Sequence, residues 1–182
     1  MKLSEIIRYY SQPEIAAELV RFGTNREVVP KFGETFGKRP DILQFPNDIV
    51  KQVRAGATSW HASEELWSDP LQLKHSSEKK DLDKLRIGFD LILDVDCKIL
   101  EWSKICADLL CKALERHEIK TFYVKFSGGT GFHIGVPWGA FNFEENLLFP
   151  ETPQLIARYL RDFIKTDLAK KILESEKDLN NI

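Results

Sequence analysis

The sequence predicts an α/β domain of the α+β type, in which a mixed sheet is flanked by helices and carries a glycine-rich hairpin. Two short apolar segments, residues 89–96 and 122–126, have the length and composition of β-strands. The segment between them, about residues 100–117, has the apolar spacing of an amphipathic helix. These strands could therefore lie parallel, joined by a right-handed crossover. Residues 127–131 are rich in glycine and join the second strand to a third, 132–136, as in a hairpin.

Composition predicts a folded protein without a membrane segment. The chain has 182 residues, of which 43% are hydrophobic, including 12 Phe. This length and composition fit a single domain over 1–182, or one large and one minor lobe. The net charge of −2 provides no overall attraction to nucleic acid, so any such contact needs a local basic patch. Three Cys without an apolar leader predict a reduced, cytoplasmic protein that does not contact membranes.

The first third of the chain predicts two helices followed by an irregular stretch. The helices are expected at 3–10 and 13–22, and Ser11 with Glu14 has the spacing of a capping box at the second. Residues 24–48 contain repeated Gly and Pro, which predicts a long, locally basic loop. Its charge alone favours a solvated loop over a binding surface.

A short helix and a strand are predicted next. Asp48 is expected to cap a helix over 49–54, and residues 57–63 alternate small and bulky side chains as a half-buried strand does. Three polar residues share one face of that strand: Ser59, His61 and Ser63. Such a row is compatible with a hydrolase, but the Gly-x-Ser-x-Gly motif that would support one is missing. Residues 64–86 are charge-rich and predict a surface loop with a short helix.

The end of the chain predicts two helices, over 152–176 in total. Thr152 is expected to cap the first helix, with Pro153 at its first position. The second is expected at about 166–176. An aromatic, proline-bounded loop, 138–150, precedes them.

Two carboxylates at the end of the first apolar strand predict a metal site. Asp94 and Asp96 are two residues apart, so both side chains point to one face. Close carboxylates repel unless a cation binds them or one is protonated, and an unpaired charge at an apolar strand is costly to bury. Mg²⁺ or Mn²⁺ is the natural partner for such oxygens. Asp90 shares this face, either as an outer partner or as the strand entrance.

The glycine-rich loop predicts a phosphate contact. The loop Ser127-Gly128-Gly129-Thr130-Gly131 could present backbone N–H groups to phosphate oxygens, and His133 follows on the adjoining strand. Alone, the loop also fits a tight hairpin, where glycine is favoured at positive φ. Beside two metal-binding carboxylates, it indicates nucleotide chemistry.

A structural zinc site is not expected. Four possible ligands occur in one region: Cys97, Cys106, Cys111 and His117. Their spacing lacks the paired cysteines of structural zinc sites, so the thiols are better explained as small apolar side chains.

The two motifs together resemble a known family. Leu93-Asp94-Val95-Asp96 and Lys125-Phe126-Ser127-Gly128-Gly129-Thr130-Gly131-Phe132-His133-Ile134-Gly135-Val136 are similar to the first two motifs of the archaeal–eukaryotic primase superfamily, and most similar to those of archaeal catalytic small subunits. Arg26-Glu27 and residues 59–63 resemble two looser elements of that family. The resemblance covers about residues 20–165 and implies a primase-type catalytic core over that range.

The resemblance also implies an activity: DNA primase, a nucleotidyltransferase that makes primers from nucleoside triphosphates on a single-stranded DNA template during replication. It implies that Asp94 and Asp96 are catalytic and bind two Mg²⁺ or Mn²⁺ ions. The nucleotide-binding residues implied are Ser127, Gly128, Gly129 and His133, with Lys125, Arg39 and Lys38 as supplementary cations. A nucleoid-associated protein working with the primase large subunit is expected.

The sequence also departs from the family pattern. The family's third metal carboxylate follows the histidine motif on a strand, whereas the late acidic residues here lie in a loop and helices: Glu144, Glu145, Asp162 and Asp167. The zinc knuckle between the motifs is missing, and Gly129-Thr130 replaces a basic residue. A partner chain, either the large subunit or a separate C-terminal catalytic half, would supply the third carboxylate. The alternatives are a noncatalytic nucleotide- or nucleic-acid-binding module of a replication complex and a metal-dependent phosphoesterase.

Overall fold

The computed structural model describes residues 2–74, 77–141 and 148–179. Within these ranges, six α-helices and eight strands form a mixed α+β architecture with three small sheets. Neighbouring strands of both three-stranded sheets are antiparallel, so the predicted mixed sheet is wrong. The chain divides into two compact units, Met1–Gly88 and Phe89–Ile182.

Three helices of the first unit lie at or near their predicted positions: α1 Leu3–Tyr10, α2 Pro13–Phe22 and α3 Pro46–Arg54, which begins at Pro46 instead of residue 49. Their caps differ from the prediction. Gln12 is the residue before α2, so Ser11 does not cap it. Asp48 is the third residue of α3 and accepts the N–H of Phe45 at 3.2 Å. Both helices begin with a proline, because its fixed φ and missing N–H suit the first helical position.

The stretch predicted to be irregular contains strands. β1 Val28–Phe32 pairs with β2 Thr35–Phe36 on one side and with β3 Ser59–Ala62 on the other. The sequence did not predict β1 as a strand because it contains Pro30. Its carbonyl accepts the N–H of Gly37, so its own nitrogen faces the short β2. The missing donor therefore costs the β1–β3 pairing nothing.

Another pair of strands lies at the two ends of the predicted surface loop, 64–86. β4 Glu65–Trp67 pairs with β5 Arg86–Phe89, and a 3₁₀ turn, Pro70–Gln72, and α4 Lys79–Leu85 connect them. The Arg86 guanidinium lies 5.4 Å from the ring centre of the buried Trp67 and donates to Glu65 at 2.7 Å. This ion pair between β4 and β5 was not evident from a charge-rich sequence.

The second unit consists of β6 Leu91–Val95, α5 Leu100–Arg116, β7 Tyr123–Phe126, β8 Phe132–Val136, a 3₁₀ turn Trp138–Ala140 and α6 Glu151–Leu179. β8 lies between β6 and β7 and is antiparallel to both. The strands before and after α5 therefore run parallel, as predicted, but are not neighbours. This is a split β-α-β arrangement.

α6 is one helix where the sequence predicts two. It begins at Glu151, so Thr152 and Pro153 lie inside its first turn. No glycine or proline interrupts residues 154–179, and Leu160, Ile164 and Leu168 continue to pack on the core. Although α6 has 29 residues, neither it nor another helix in the described ranges is apolar enough to cross a membrane.

Packing in the core of the second unit determines which face of the β6–β8–β7 sheet carries polar side chains. Leu91, Leu93 and Val95 of β6 pack with residues of α5 and α6 in one apolar cluster. Side chains alternate along a strand, so Asp94 lies on the face opposite the helices. This alternation, predicted from the sequence, positions the candidate site.

Candidate metal and phosphate site

Three of the predicted site residues form one cross-strand row. Asp94 lies directly opposite His133, and His133 lies directly opposite Lys125. Residues paired in this way project side by side from the same face of a sheet. Asp94 Oδ1 is 3.5 Å from His133 Nε2. We call Asp94, His133 and Lys125 the charged row. Two motifs far apart in sequence thus come together.

The glycine-rich loop lies next to the second carboxylate. The Ser127 N–H donates to the Gly131 carbonyl at 3.0 Å, which closes the loop, and Gly128 has φ +95°. The Thr130 hydroxyl donates to Asp96 Oδ1 at 3.3 Å. The loop and the carboxylate that follows β6 are therefore in direct contact.

The space around residue 131 is too small for any residue larger than glycine. A β-carbon at this position would lie 2.5 Å from the Val95 carbonyl oxygen and 3.2 Å from both Asp96 Oδ1 and Ser127 Oγ. Only Gly128 within the loop has a positive φ. The prediction that positive φ explains these glycines therefore holds for Gly128, whereas Gly131 allows the backbone to approach Asp96.

The two carboxylates are exposed, which corrects one argument made from the sequence. The Asp94 side chain is 69% exposed, and Asp96 is also exposed, so the cost of burying charge does not apply. The donor set still fits Mg²⁺ or Mn²⁺, since such ions use one or two carboxylates and take other oxygens from substrate phosphates. No described group of three or more His, Cys, Asp or Glu could hold a metal by itself. Phosphate would have to complete the coordination.

Two of the late acidic residues cannot complete this site. Asp162 and Asp167 lie on α6, which packs on the sheet face opposite Asp94. Asp162 also pairs with Arg161 at 3.0 Å. The other two, Glu144 and Glu145, lie outside the described residues.

Asp90 makes a structural contact at the start of β6. It is 3% exposed, lies between β5 and β6, and accepts the backbone N–H of Trp138 at 3.0 Å. A carboxylate used in this way holds the turn after β8 against the start of β6. Of the two alternatives expected for Asp90, this contact favours the strand entrance over an outer partner of a metal.

Asp90→Ala is expected to destabilise the fold by about 1–3 kcal/mol, because it removes a buried carboxylate that accepts the part-buried N–H of Trp138. The free energy of unfolding in urea measures the effect. Asp94→Ala is the matched control, since its exposed position predicts a change within about 0.5 kcal/mol. Equal stability of the Asp90 variant and the wild type would contradict the assignment.

Arg39 lies in the first unit and is paired there. Its guanidinium donates to both carboxylate oxygens of Glu27, at 3.0 and 2.5 Å, and this hydrogen bonding raises the pKa of Arg39. Arg26, which precedes Glu27 in the sequence, is buried and donates to the carbonyls of Phe22 and Ser63. The Arg26-Glu27 element is thus part of the packing of the first unit, and a nucleotide contact of Arg39 stays a prediction.

The remaining candidate groups are the serine–histidine row on β3 and the cysteines of α5. The Ser59 hydroxyl lies 3.3 Å from His61 Nε2, and the His61 ring packs edge-on against Phe36. Burial raises the pKa of Cys106 and Cys111, which keeps both as protonated thiols.

A second cross-strand row was not predicted. Tyr123 lies directly opposite Gly135, which lies directly opposite Ile92. A β-carbon at Gly135 would be 2.0 Å from Tyr123 Cζ, so the tyrosine ring occupies that space. This row, which we call the apolar row, adjoins the charged row on the same face. Only the register of the strands reveals it.

Comparison with known proteins does not add to these observations. No protein-family model and no curated protein matches the chain. The sequence motifs and the geometry of the second unit are therefore the basis for any functional conclusion.

Proposed function

We propose that the chain is the catalytic part of a primase-type nucleotidyltransferase, which synthesises primers from nucleoside triphosphates on a single-stranded DNA template and releases pyrophosphate. The observation that supports it is the charged row beside the closed loop. Asp94, His133 and Lys125 share one sheet face, and the loop contacts the neighbouring Asp96. Carboxylates next to N–H, imidazole and ammonium donors form a suitable surface for a metal-bound triphosphate.

Asp94 and Asp96 would hold the divalent ions, which neutralise phosphate charge and favour deprotonation of the primer 3′-hydroxyl. The backbone N–H groups of Gly128 and Gly129 and the hydroxyl of Ser127 bind the phosphate oxygens. His133 and Lys125 add a hydrogen-bond donor and a positive charge on the same face. The contribution of these residues is positioning and charge stabilisation, which dominate phosphoryl-transfer catalysis.

The proposal includes a partner. A primase large subunit or a separate C-terminal catalytic half supplies the third carboxylate. The position of Asp162 and Asp167 behind the sheet supports this part, because neither can reach the face of Asp94. Their helix is fixed by the apolar cluster, so a small rotation would not bring them across.

His133→Ala is expected to raise the KM for the nucleotide by about 10- to 100-fold, because a hydrogen bond to a charged phosphate contributes about 1.5–3 kcal/mol. His133→Gln, which keeps a donor, is expected to lose less. Steady-state kinetics over a range of nucleotide concentrations measures both. An unchanged KM would remove His133 from the nucleotide site.

Product analysis separates the proposal from its competitors. Single-stranded DNA, a primer, labelled nucleotides and Mn²⁺ are incubated with the chain alone and with candidate partner chains. We expect primer extension with release of pyrophosphate, and a requirement for the partner. Release of orthophosphate would indicate a phosphoesterase. Nucleotide binding without turnover, even with the partner present, would indicate the noncatalytic binding module.

A further inference from the structure

The sheet face has two chemically different parts, the charged row and the neighbouring apolar row. The charged row contains Asp94, His133 and Lys125, and the next row contains Ile92, Gly135 and Tyr123. Corresponding residues in the two rows are two apart, which places them about 7 Å from each other along the strands. A nucleotide has the same division, with charged phosphates at one end and an aromatic base at the other.

Gly135 makes room for the tyrosine ring. A β-carbon at Gly135 would lie 2.0 Å from Cζ, 2.3 Å from the hydroxyl oxygen and 2.5 Å from Cε1 of Tyr123. The ring therefore extends from β7 across β8. Tyr123 as a residue remains 36% exposed although its ring covers Gly135, which is buried. The aromatic ring thus lies on the face that carries the charged row, in a residue that is partly exposed.

The direction of a bound nucleotide follows from the ends of the strands. β6 ends at Val95 and β7 at Phe126, and the loop 127–131 lies beyond them. If phosphates lie against this loop and the charged row, the sheet continues from there only toward Tyr123. The nucleoside end of the same molecule would then reach the apolar row.

We propose that Tyr123, placed over Gly135, is a positioning residue that stacks against the base of the nucleotide whose phosphates lie at the charged row. This inference rests on the proposed function and adds the site for the nucleoside end of the substrate. Stacking on an aromatic ring is favourable for every base, so the contact provides affinity and orientation with little base selectivity. That property suits an enzyme whose template decides which base is incorporated.

The test compares two ligands that share phosphates and differ in the nucleoside. Affinities of ATP and of inorganic tripolyphosphate are measured by calorimetry with Mn²⁺ for the full chain. Tyr123→Ala is expected to weaken ATP binding by about 10-fold or more and to leave tripolyphosphate binding unchanged. Tyr123→Phe should retain the ATP affinity of the wild type. Tyr159→Ala, an exposed tyrosine on α6, is the matched control and should change neither affinity.

A second variant tests the same contact without removing the tyrosine. Gly135→Ala forces the ring out of the space it occupies, so ATP affinity should fall while tripolyphosphate affinity is kept. Equal ATP affinity of wild type, Tyr123→Ala and Gly135→Ala, with tripolyphosphate still bound, would overturn this inference and leave the proposed function in place. Failure of the wild type to bind tripolyphosphate would overturn the proposed function and this inference together.

Discussion

Replacing Asp94 and Asp96 together with asparagine is expected to reduce metal-dependent primer synthesis by at least about 1000-fold while the protein remains folded. The loss is large because both carboxylates are assigned to hold the metal ions, and electrostatic stabilisation is the main catalytic contribution in such sites. The fold should be unaffected, because both side chains are exposed and face away from the apolar core. Primer extension with the partner chain present and urea unfolding measure the two quantities.

The matched control is Asp162→Asn with Asp167→Asn, which removes the same number of carboxylates from α6 on the opposite face. This variant is expected to retain wild-type activity. Normal primer extension by the Asp94 and Asp96 double variant would show that the site assignment is wrong. A comparable loss in the α6 control would show that total charge, and not position, controls the reaction.

Gly131→Ala is expected to produce the second large effect. The added β-carbon would lie 2.5 Å from a backbone oxygen, that of Val95, so the loop or the end of β6 has to move. We expect a loss of about 1–3 kcal/mol in stability, typical of overpacking, and at least a 10-fold loss of activity because the loop no longer fits against Asp96. Urea unfolding and primer extension measure these losses.

Gly139→Ala is the control for this prediction. Gly139 belongs to the 3₁₀ turn after β8, and a β-carbon added there would have no atom within 4 Å beyond its chain neighbours. The stability and activity of this variant should match those of the wild type. Wild-type activity of Gly131→Ala would mean that the loop tolerates displacement and does not position the nucleotide.

The helices could be predicted from the sequence more completely than the strands. Apolar spacing locates α1, α2 and α5 within a residue or two of their observed bounds. The sequence did not predict β1, which contains Pro30, or β4, which lies among charged residues. Both strands form by pairing with strands that are distant in the chain. The break expected in α6 is absent, since its contacts with the core continue past residue 164.

For the candidate site, residue alternation was more informative than burial. The spacing of Asp94 and Asp96 is sufficient to place both carboxylates on one face, but it cannot reveal that this face is exposed. The contact of Asp94 with His133 and the position of Tyr123 over Gly135 depend on the register of β6, β8 and β7. Register is set by the packing of the whole unit, so no local motif could have predicted either contact.

The most direct test of the proposed site is a titration with Mn²⁺ followed by electron paramagnetic resonance, with and without a nonhydrolysable nucleoside triphosphate. The measurement depends on neither a partner chain nor turnover. We expect the wild type to bind Mn²⁺ more tightly when the nucleotide is present, because phosphate oxygens complete the coordination begun by the two carboxylates. Asp94→Asn with Asp96→Asn should abolish this nucleotide-dependent binding. Unchanged binding in that variant would contradict the proposed metal site.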